Sequence, residues 1–324
     1  MRELKVGKND AGQRLDKFIM KTLKDMPQSL LYKSVRTKKI KVNRKRATPS
    51  QLLAEGDCLQ LFISDDFFKD SESYADIERT LNSISPNFNV VYEDENILLI
   101  DKHPGISVHE DETNDKNNLI MQIWAYLYKK SEYSPKDEQS FAPALCNRID
   151  RNTGGIVISA KNAQALRIMN DKIKKRELKK LYLCAVHGEP KPKNAIIEAH
   201  LLKNENENSV RIYDKNPPKN AKKIITGYKT LQSKDRLSLL EVELFTGRTH
   251  QIRAHLAHIG HPLVGDGKYS QNKQDRALGY KYQALYSYKL RFEFTSDGEA
   301  LEYLNGKEFS LKKEDIYFVK ELFN

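Results

Sequence analysis

The sequence predicts an α+β protein in which a small N-terminal α/β unit precedes a much larger one, and three observations carry that expectation. Within the first 65 residues, apolar side chains at helical spacing give way to short strand-like runs. A cluster of carboxylates then interrupts the pattern. Beyond it, six strand-like runs outnumber three helical patterns, in a chain of 324 residues that is long enough for a real core.

Residues 1–65 form the first expected domain. Leu15, Phe18, Ile19, Leu23 and Met26 recur at helical spacing and define one apolar face. Pro27 ends that helix or opens the next, which Leu30, Leu31 and Val35 continue. Ile40-Lys41-Val42 and Leu59-Gln60-Leu61-Phe62-Ile63 read as strands, with Gly56-Asp57 as the turn before the second. Residues 66–86 read as an acidic linker with at most a short helical turn. Asp65, Asp66, Asp70, Glu72, Asp76 and Glu78 stand among serines there, and Pro86 closes the stretch. Residues 87–324 form the large domain. Its strands are expected at 90–92, 97–101, 155–160, 181–186, 227–231 and 237–244. Its helices are expected at 119–129, 163–175 and 249–259, with a polar loop at 204–208.

Net charge is +11 and the pI about 9.2, which points toward polyanionic partners. Residues 1–65 hold 15 Lys or Arg against 7 Asp or Glu, so the excess is concentrated there. Between Lys33 and Arg46 stand eight basic residues and no acid. Such a run is either a solvated basic face or a phosphate-binding surface. Cys58, Cys146 and Cys184 are too scattered for a disulfide framework or a cysteine zinc site. No stretch approaches the ~20 apolar residues of a membrane span, and a signal-peptide core is lacking, so a cytoplasmic protein is expected.

Two segments carry the chemistry. The first reads Asn147-Arg148-Ile149-Asp150-Arg151-Asn152-Thr153-Gly154-Gly155 and continues into Ile156-Val157-Ile158. Asp150, set between arginines in a strand-like run, is either a salt-bridge anchor or a reacting group, and anchors are the commoner case. About ninety residues later comes Gly247-Arg248-Thr249-His250-Gln251-Ile252-Arg253. His250, His255, His258 and His261 also cluster, which opens the alternative of a metal-dependent hydrolase. Against it, no Glu follows His255 as a His-Glu-x-x-His motif requires.

These segments resemble the signature blocks of the RluA-type pseudouridine synthases, whose first block runs roughly His-Arg-Leu-Asp-x-x-Thr-Ser-Gly. The second block, Gly-Arg-Thr-His-Gln-Ile-Arg, stands unbroken at residues 247–253. The later Gly260-His261-Pro262-Leu263-Val264-Gly265-Asp266 and the earlier run from Tyr92 through Asp101-Lys102-His103-Pro104-Gly105 are similar too. Three departures stand out. Asn147 replaces the family's His, keeping a hydrogen-bonding side chain that cannot titrate. Gly154 replaces Ser and is expected to loosen its turn, and Leu285-Tyr286-Ser287 stands where the family has Leu-His-Ala. Residues 1–65 resemble the small αL-type RNA-binding domain of a ribosomal protein and many RNA-modifying enzymes.

The resemblance implies a mixed, mainly antiparallel sheet flanked by helices and an enzyme that converts uridine to pseudouridine in structured RNA, large-subunit ribosomal RNA first of all. The C1′–N1 bond breaks and the base rebonds through C5, without redox change or net hydrolysis, so no cofactor and no metal are expected. It implies Asp150 as the reacting carboxylate, a nucleophile or a base, and Arg253 as its guanidinium partner. Tyr182 is the stacking platform the family implies, although a lone strand Tyr is more often core. Arg148 helps displace the target base, and Arg248 shapes the turn or touches phosphate. Arg14, Lys33, Arg36, Lys38 and Lys39 are the expected phosphate contacts of the N-terminal domain. A catalytically silent RNA-binding or ribosome-assembly factor on the same scaffold is the alternative, and a monomer is the default.

Overall fold

In the computed structural model, residues 1–23, 25–68, 71–109, 117–204, 207, 209–270, 275–276 and 279–324 are described. Asp70 of the acidic stretch and residues 205, 206 and 208 of the polar loop lie outside them. The chain packs as two compact units.

The first unit comprises Met1–Pro86 with Ile120–Ala144 and Ala160–Arg167. The helical spacing of its apolar residues becomes α1 (Leu15–Thr22) and α2 (Gln28–Arg36), the second opening after Pro27. Phe18, Ile19, Leu31 and Val35 from these helices pack with Ile40, Leu59 and Leu61 in one buried cluster. Strands β1 (Arg2–Lys5), β2 (Ile40–Val42), β3 (Lys45–Arg46) and β4 (Cys58–Leu61) lie in the order β1-β4-β2-β3, antiparallel throughout.

The stretch expected as linker contains a 13-residue helix, α3 (Ser71–Ser83). Its carboxylates obscured an apolar stripe: Ile77, Leu81 and the following Ile84 recur at helical spacing and pack against Met121, Trp124, Ala125 and Tyr128. Those partners stand on α4 (Leu119–Lys129), whose Lys129 Nζ donates to the Ile84 carbonyl at 2.6 Å. Within the same unit, Ser140 Oγ donates to Asp10 Oδ1 at 2.5 Å and Gln13 Nε2 donates to Ser140 Oγ at 2.7 Å.

The second unit comprises Asn87–Leu119, Leu145–Ser159 and Ile168–Asn324. Its strands are β5 (Phe88–Glu93), β6 (Ile97–Lys102), β7 (Ala144–Leu145), β8 (Gly154–Ala160), β9 (Leu178–His187), β10 (Asn194–Asn204), β11 (Ser209–Tyr213), β12 (Lys222–Lys234), β13 (Leu237–Leu244), β14 (Leu285–Phe292) and β15 (Glu308–Ser310). They build one sheet along the path β11-β10-β12-β13-β9-β14-β8-β6-β5, which β7 and β15 complete. The pairing of β14 with β8 is parallel, whereas those among β9 to β14 and of β5 with β6 are antiparallel. Every residue of β8 is buried, as its unbroken apolar run requires of an inner strand. Burying side chains such as Ile156, Val157 and Ile158 stabilises by roughly 1.5–3 kcal/mol each.

Among the described residues the further α-helices are α5 (Ala163–Lys174), α6 (Gln251–His258) and α7 (Tyr317–Phe323). The strands and helices expected at stated ranges form, but β7, β10, β11, β14, β15 and α7 were not anticipated, nor were β1 and β3 of the first unit. In β10 and β14, charged residues such as Glu198, Lys289 and Arg291 interrupt the apolar pattern at positions that stay solvent-accessible. Among the described residues no helix is long and apolar enough to cross a membrane.

Candidate active site

Asp150 sits on an irregular segment, not the expected strand: residues 147–153 form a loop, and β8 begins at Gly154. The loop is folded by its own hydrogen bonds. The Thr153 amide donates to the Asp150 carbonyl at 3.0 Å, and Asn147 Oδ1 accepts from the Ile158 amide at 2.8 Å. An uncharged amide at position 147 is thus used as a backbone acceptor.

Beneath the loop lies Lys102, fully buried. Its Nζ donates to the carbonyls of His103, Ile106 and Arg151 at 3.0, 2.9 and 2.9 Å, so each of its three protons finds an acceptor. Burial pushes its ammonium down to about 7, while the Asp150 charge works the other way. The Arg151 carbonyl also accepts from the Gly105 amide at 2.9 Å, and Arg151 Nε returns a bond to the Gly105 carbonyl at 3.1 Å. Asp150 therefore projects from a segment pinned on both sides.

The second block supplies its partner. Gln251 opens α6 and ties down the preceding turn: its Oε1 accepts from Thr246 Oγ1 at 2.9 Å and from the Arg248 amide at 3.1 Å. Its Nε2 donates to the Ile225 carbonyl on β12 at 3.1 Å. Two residues on, Arg253 is buried and places its guanidinium between two carboxylates. Nε and Nη2 donate to Asp266 at 2.7 and 2.9 Å, and Nη1 donates to Asp150 Oδ2 at 3.0 Å. Burial would raise the Asp266 carboxyl, but the Arg253 guanidinium outweighs it and holds Asp266 below the usual carboxylate range. Amides of Lys268 and Tyr269 add two bonds to Asp266 Oδ1 at 2.9 and 3.2 Å. The Tyr269 ring lies 5.3 Å from the Arg253 guanidinium carbon.

His250 completes the surround with a left-handed backbone (φ 53°). Its Nδ1 lies 2.8 Å from the Tyr269 hydroxyl and its Nε2 3.9 Å from Asp150 Oδ2. Burial pushes its pKa down although the Asp150 charge pulls it up.

Asp150, Tyr182, Arg253, Arg148 and Arg248 all line one cleft of about 1070 Å³. Tyr182 stands on β9, opposite Val242 and Ser287, and burial pushes its phenol up to about 12. Arg148 and Arg248 are exposed at the cleft. Lys174, Arg176, Lys179 and Lys180 line it as well. Lys172, close to them in sequence, is instead buried and paired with Glu177 at 2.8 Å. The expected phosphate contacts Lys33, Arg36, Lys38 and Lys39 are exposed on the first unit. Arg14 is already committed there, with Nη2 2.6 Å from Asp16 Oδ2.

The histidine cluster does not converge. His255 contacts Thr226 Oγ1, His258 contacts Asp214 and His261 contacts the His187 carbonyl. Among the described residues no set of three His, Cys, Asp or Glu side chains gathers as metal ligands.

The sequence model of the RNA pseudouridylate synthase family matches residues 96–258, half of the chain and the span that carries Asp150, Tyr182 and Arg253. The chain belongs to this family. It is an RNA pseudouridine synthase, an isomerase. Among its relatives, the ribosomal large subunit pseudouridine synthase C of Vibrio parahaemolyticus is 32% identical over 94% of this chain and 92% of that protein. The enzyme of the same name from Haemophilus influenzae is 29% identical over 95% and 92%. The solved human RNA pseudouridylate synthase domain containing 4 superposes with a TM-score of 0.58 at 20% identity, covering 77% of this chain and 97% of that one, a likeness of fold.

Within this synthase, sequence reading missed Lys102 and Asp266 as parts of the site. Both stood inside family-like runs, but only folding brings Lys102 under the Asp150 loop and Asp266 against Arg253.

Proposed function

We propose that this synthase isomerises specific uridines of large-subunit ribosomal RNA to pseudouridine, with Asp150 as the reacting carboxylate and no cofactor, as a cytoplasmic monomer. One observation carries the reading: Arg253 spends two N–H groups on buried Asp266 and turns a third to Asp150, at the wall of a basic cleft that also holds Tyr182. A charge-assisted bond of this kind orients one carboxylate oxygen and leaves the other for the substrate. The target nucleotide enters the cleft flipped out of its helix, with Arg148 filling the vacated stack and Tyr182 against the uracil. Asp150 then attacks the sugar C1′ or removes the 2′ proton as the C1′–N1 bond breaks. The base turns and C5 bonds to C1′, displacing the Asp150 carboxylate or, on the second route, with the proton returned to C2′; the C5 proton departs and N1 takes one up. The names of the relatives support the choice of RNA.

The test is tritium release from large-subunit ribosomal RNA labelled at uridine C5, comparing wild type with Asp150→Asn. Release by wild type and none by the variant, with RNA affinity retained, is expected. Turnover by Asp150→Asn removes the assignment of Asp150. Tight binding without release by wild type favours a silent assembly factor.

A further inference from the structure

Beside the cleft lies a second, shallower hollow of about 320 Å³, which shares Ile196, Glu243 and Phe245 with it. Two large apolar side chains stay open to solvent there: Ile196 on β10 is 65% exposed and Phe245, just after β13, is 36% exposed. Between them on β12 stands Gly227. A Cβ on Gly227 would lie 3.1 Å from the Phe245 ring and 3.9 Å from Ile196 Cγ1. Glycine inside a strand weakens it and marks a place of close approach, here that of the Phe245 ring to the β12 backbone.

The turn that carries Phe245 is anchored beside it. Its neighbour Thr246 accepts from the Ile225 amide at 2.8 Å and donates to Gln251 at 2.9 Å, so Phe245 adjoins the same turn that positions Arg253. The hollow has polar edges in Asn194 and Glu243, and Lys229 stands exposed on its rim. Lys179 pairs with Glu243 at 3.1 Å where the two depressions meet.

We propose that Phe245 and Ile196 form a stacking site for an unpaired nucleobase of the RNA strand that delivers the target uridine to Asp150. The inference rests on the isomerase reading and adds a second base site to it. Extruding one nucleotide leaves its neighbours without a stacking partner, and an exposed ring at the rim of the cleft recovers part of that loss. Every base has a π-face, so the platform tolerates any sequence, while Lys179 and Lys229 suit the flanking phosphates.

The experiment uses the full chain and a large-subunit ribosomal RNA transcript tritiated at uridine C5, measuring filter binding and single-turnover release for Phe245→Ala, Phe245→Leu and Phe245→Tyr. Phe245→Ala is expected to weaken RNA binding about 5- to 100-fold, with the rate at saturating enzyme falling far less. Phe245→Tyr is expected to restore affinity and Phe245→Leu to fail, because stacking needs a ring. Wild-type affinity in Phe245→Ala, or equal rescue by Leu and Tyr, overturns the platform. Absence of release by wild type defeats the isomerase reading instead, and the binding comparison still decides the platform.

Discussion

Gly154 and Tyr286 face each other across the parallel pairing of β8 with β14, and a Cβ on Gly154 would lie 2.3 Å from the Tyr286 ring. The chain departs from the family-like pattern at both positions, and the two departures meet in space. Tyr286 fills the room that a bare Gly154 leaves and donates to Asp101 Oδ1 at 2.8 Å. Gly154 therefore serves close packing rather than the looser turn its sequence suggests. Gly154→Ser is expected to lower stability by about 1–3 kcal/mol through overpacking, a fall of roughly 2–10 °C in Tm. Adding Tyr286→His to Gly154→Ser is expected to return most of that loss, and thermal melts of the two variants check it. Equal Tm values for Gly154→Ser and wild type would show that the ring has other room.

On the proposed mechanism Asp266 acts on Asp150 through Arg253, which makes it a positioning residue. Asp266→Asn keeps the shape but removes the charge and one acceptor from the guanidinium fork. Displacing a reacting group by a fraction of an ångström is costly, so the maximal rate of tritium release is expected to fall about 10- to 100-fold. RNA affinity is expected to hold, because Asp266 is buried away from solvent. A loss of affinity with an unchanged maximal rate would contradict this role.

The reach of the sequence can be judged from these residues. Asp150 and Arg253 stood out in ordered motifs and Tyr182 by position in the resemblance, and one cleft receives all three. Asp266 was visible only as the end of a family-like run, since nothing local reveals that a buried guanidinium lies against it. Lys102 read as the end of a strand, and its three carbonyl acceptors come from two separate loops. Helix α3 was hidden by the carboxylates in its sequence, although Ile77, Leu81 and the following Ile84 pack into an apolar cluster. Strands β10 and β14 were missed because burial there is decided by neighbouring strands, which a local pattern does not contain.

His255 gives the fold a defined acid sensitivity. It is 1% exposed, and burial, helped by neighbouring His258, pushes its pKa from 6.5 to about 4. The unfolded chain therefore binds a proton between these values that the folded chain refuses. Stability from this group is complete above pH 6.5 and is lost as pH falls through 4. The loss is on the order of 2–3 kcal/mol. Urea titrations of wild type and His255→Gln across pH 7 to 4 check it, with a shallower decline expected for the variant. Parallel declines would place the acid sensitivity elsewhere.

The basic face of the first unit is separable from catalysis by its salt dependence. Lys33 and Arg36 close α2, and Lys38 and Lys39 follow it, all exposed. Arg14 is less available, being paired with Asp16. If each of the four exposed cations neutralises one phosphate, replacing all four with Gln lowers the salt slope of RNA binding by roughly three units. Such surface changes leave the core of this unit intact, since none of the four contributes to its buried cluster. The saturating rate of tritium release is expected to persist, as phosphate contacts position RNA without touching the reacting base. An unchanged slope would assign the excess charge to solubility and leave RNA capture to Lys174, Arg176, Lys179 and Lys180 along the cleft.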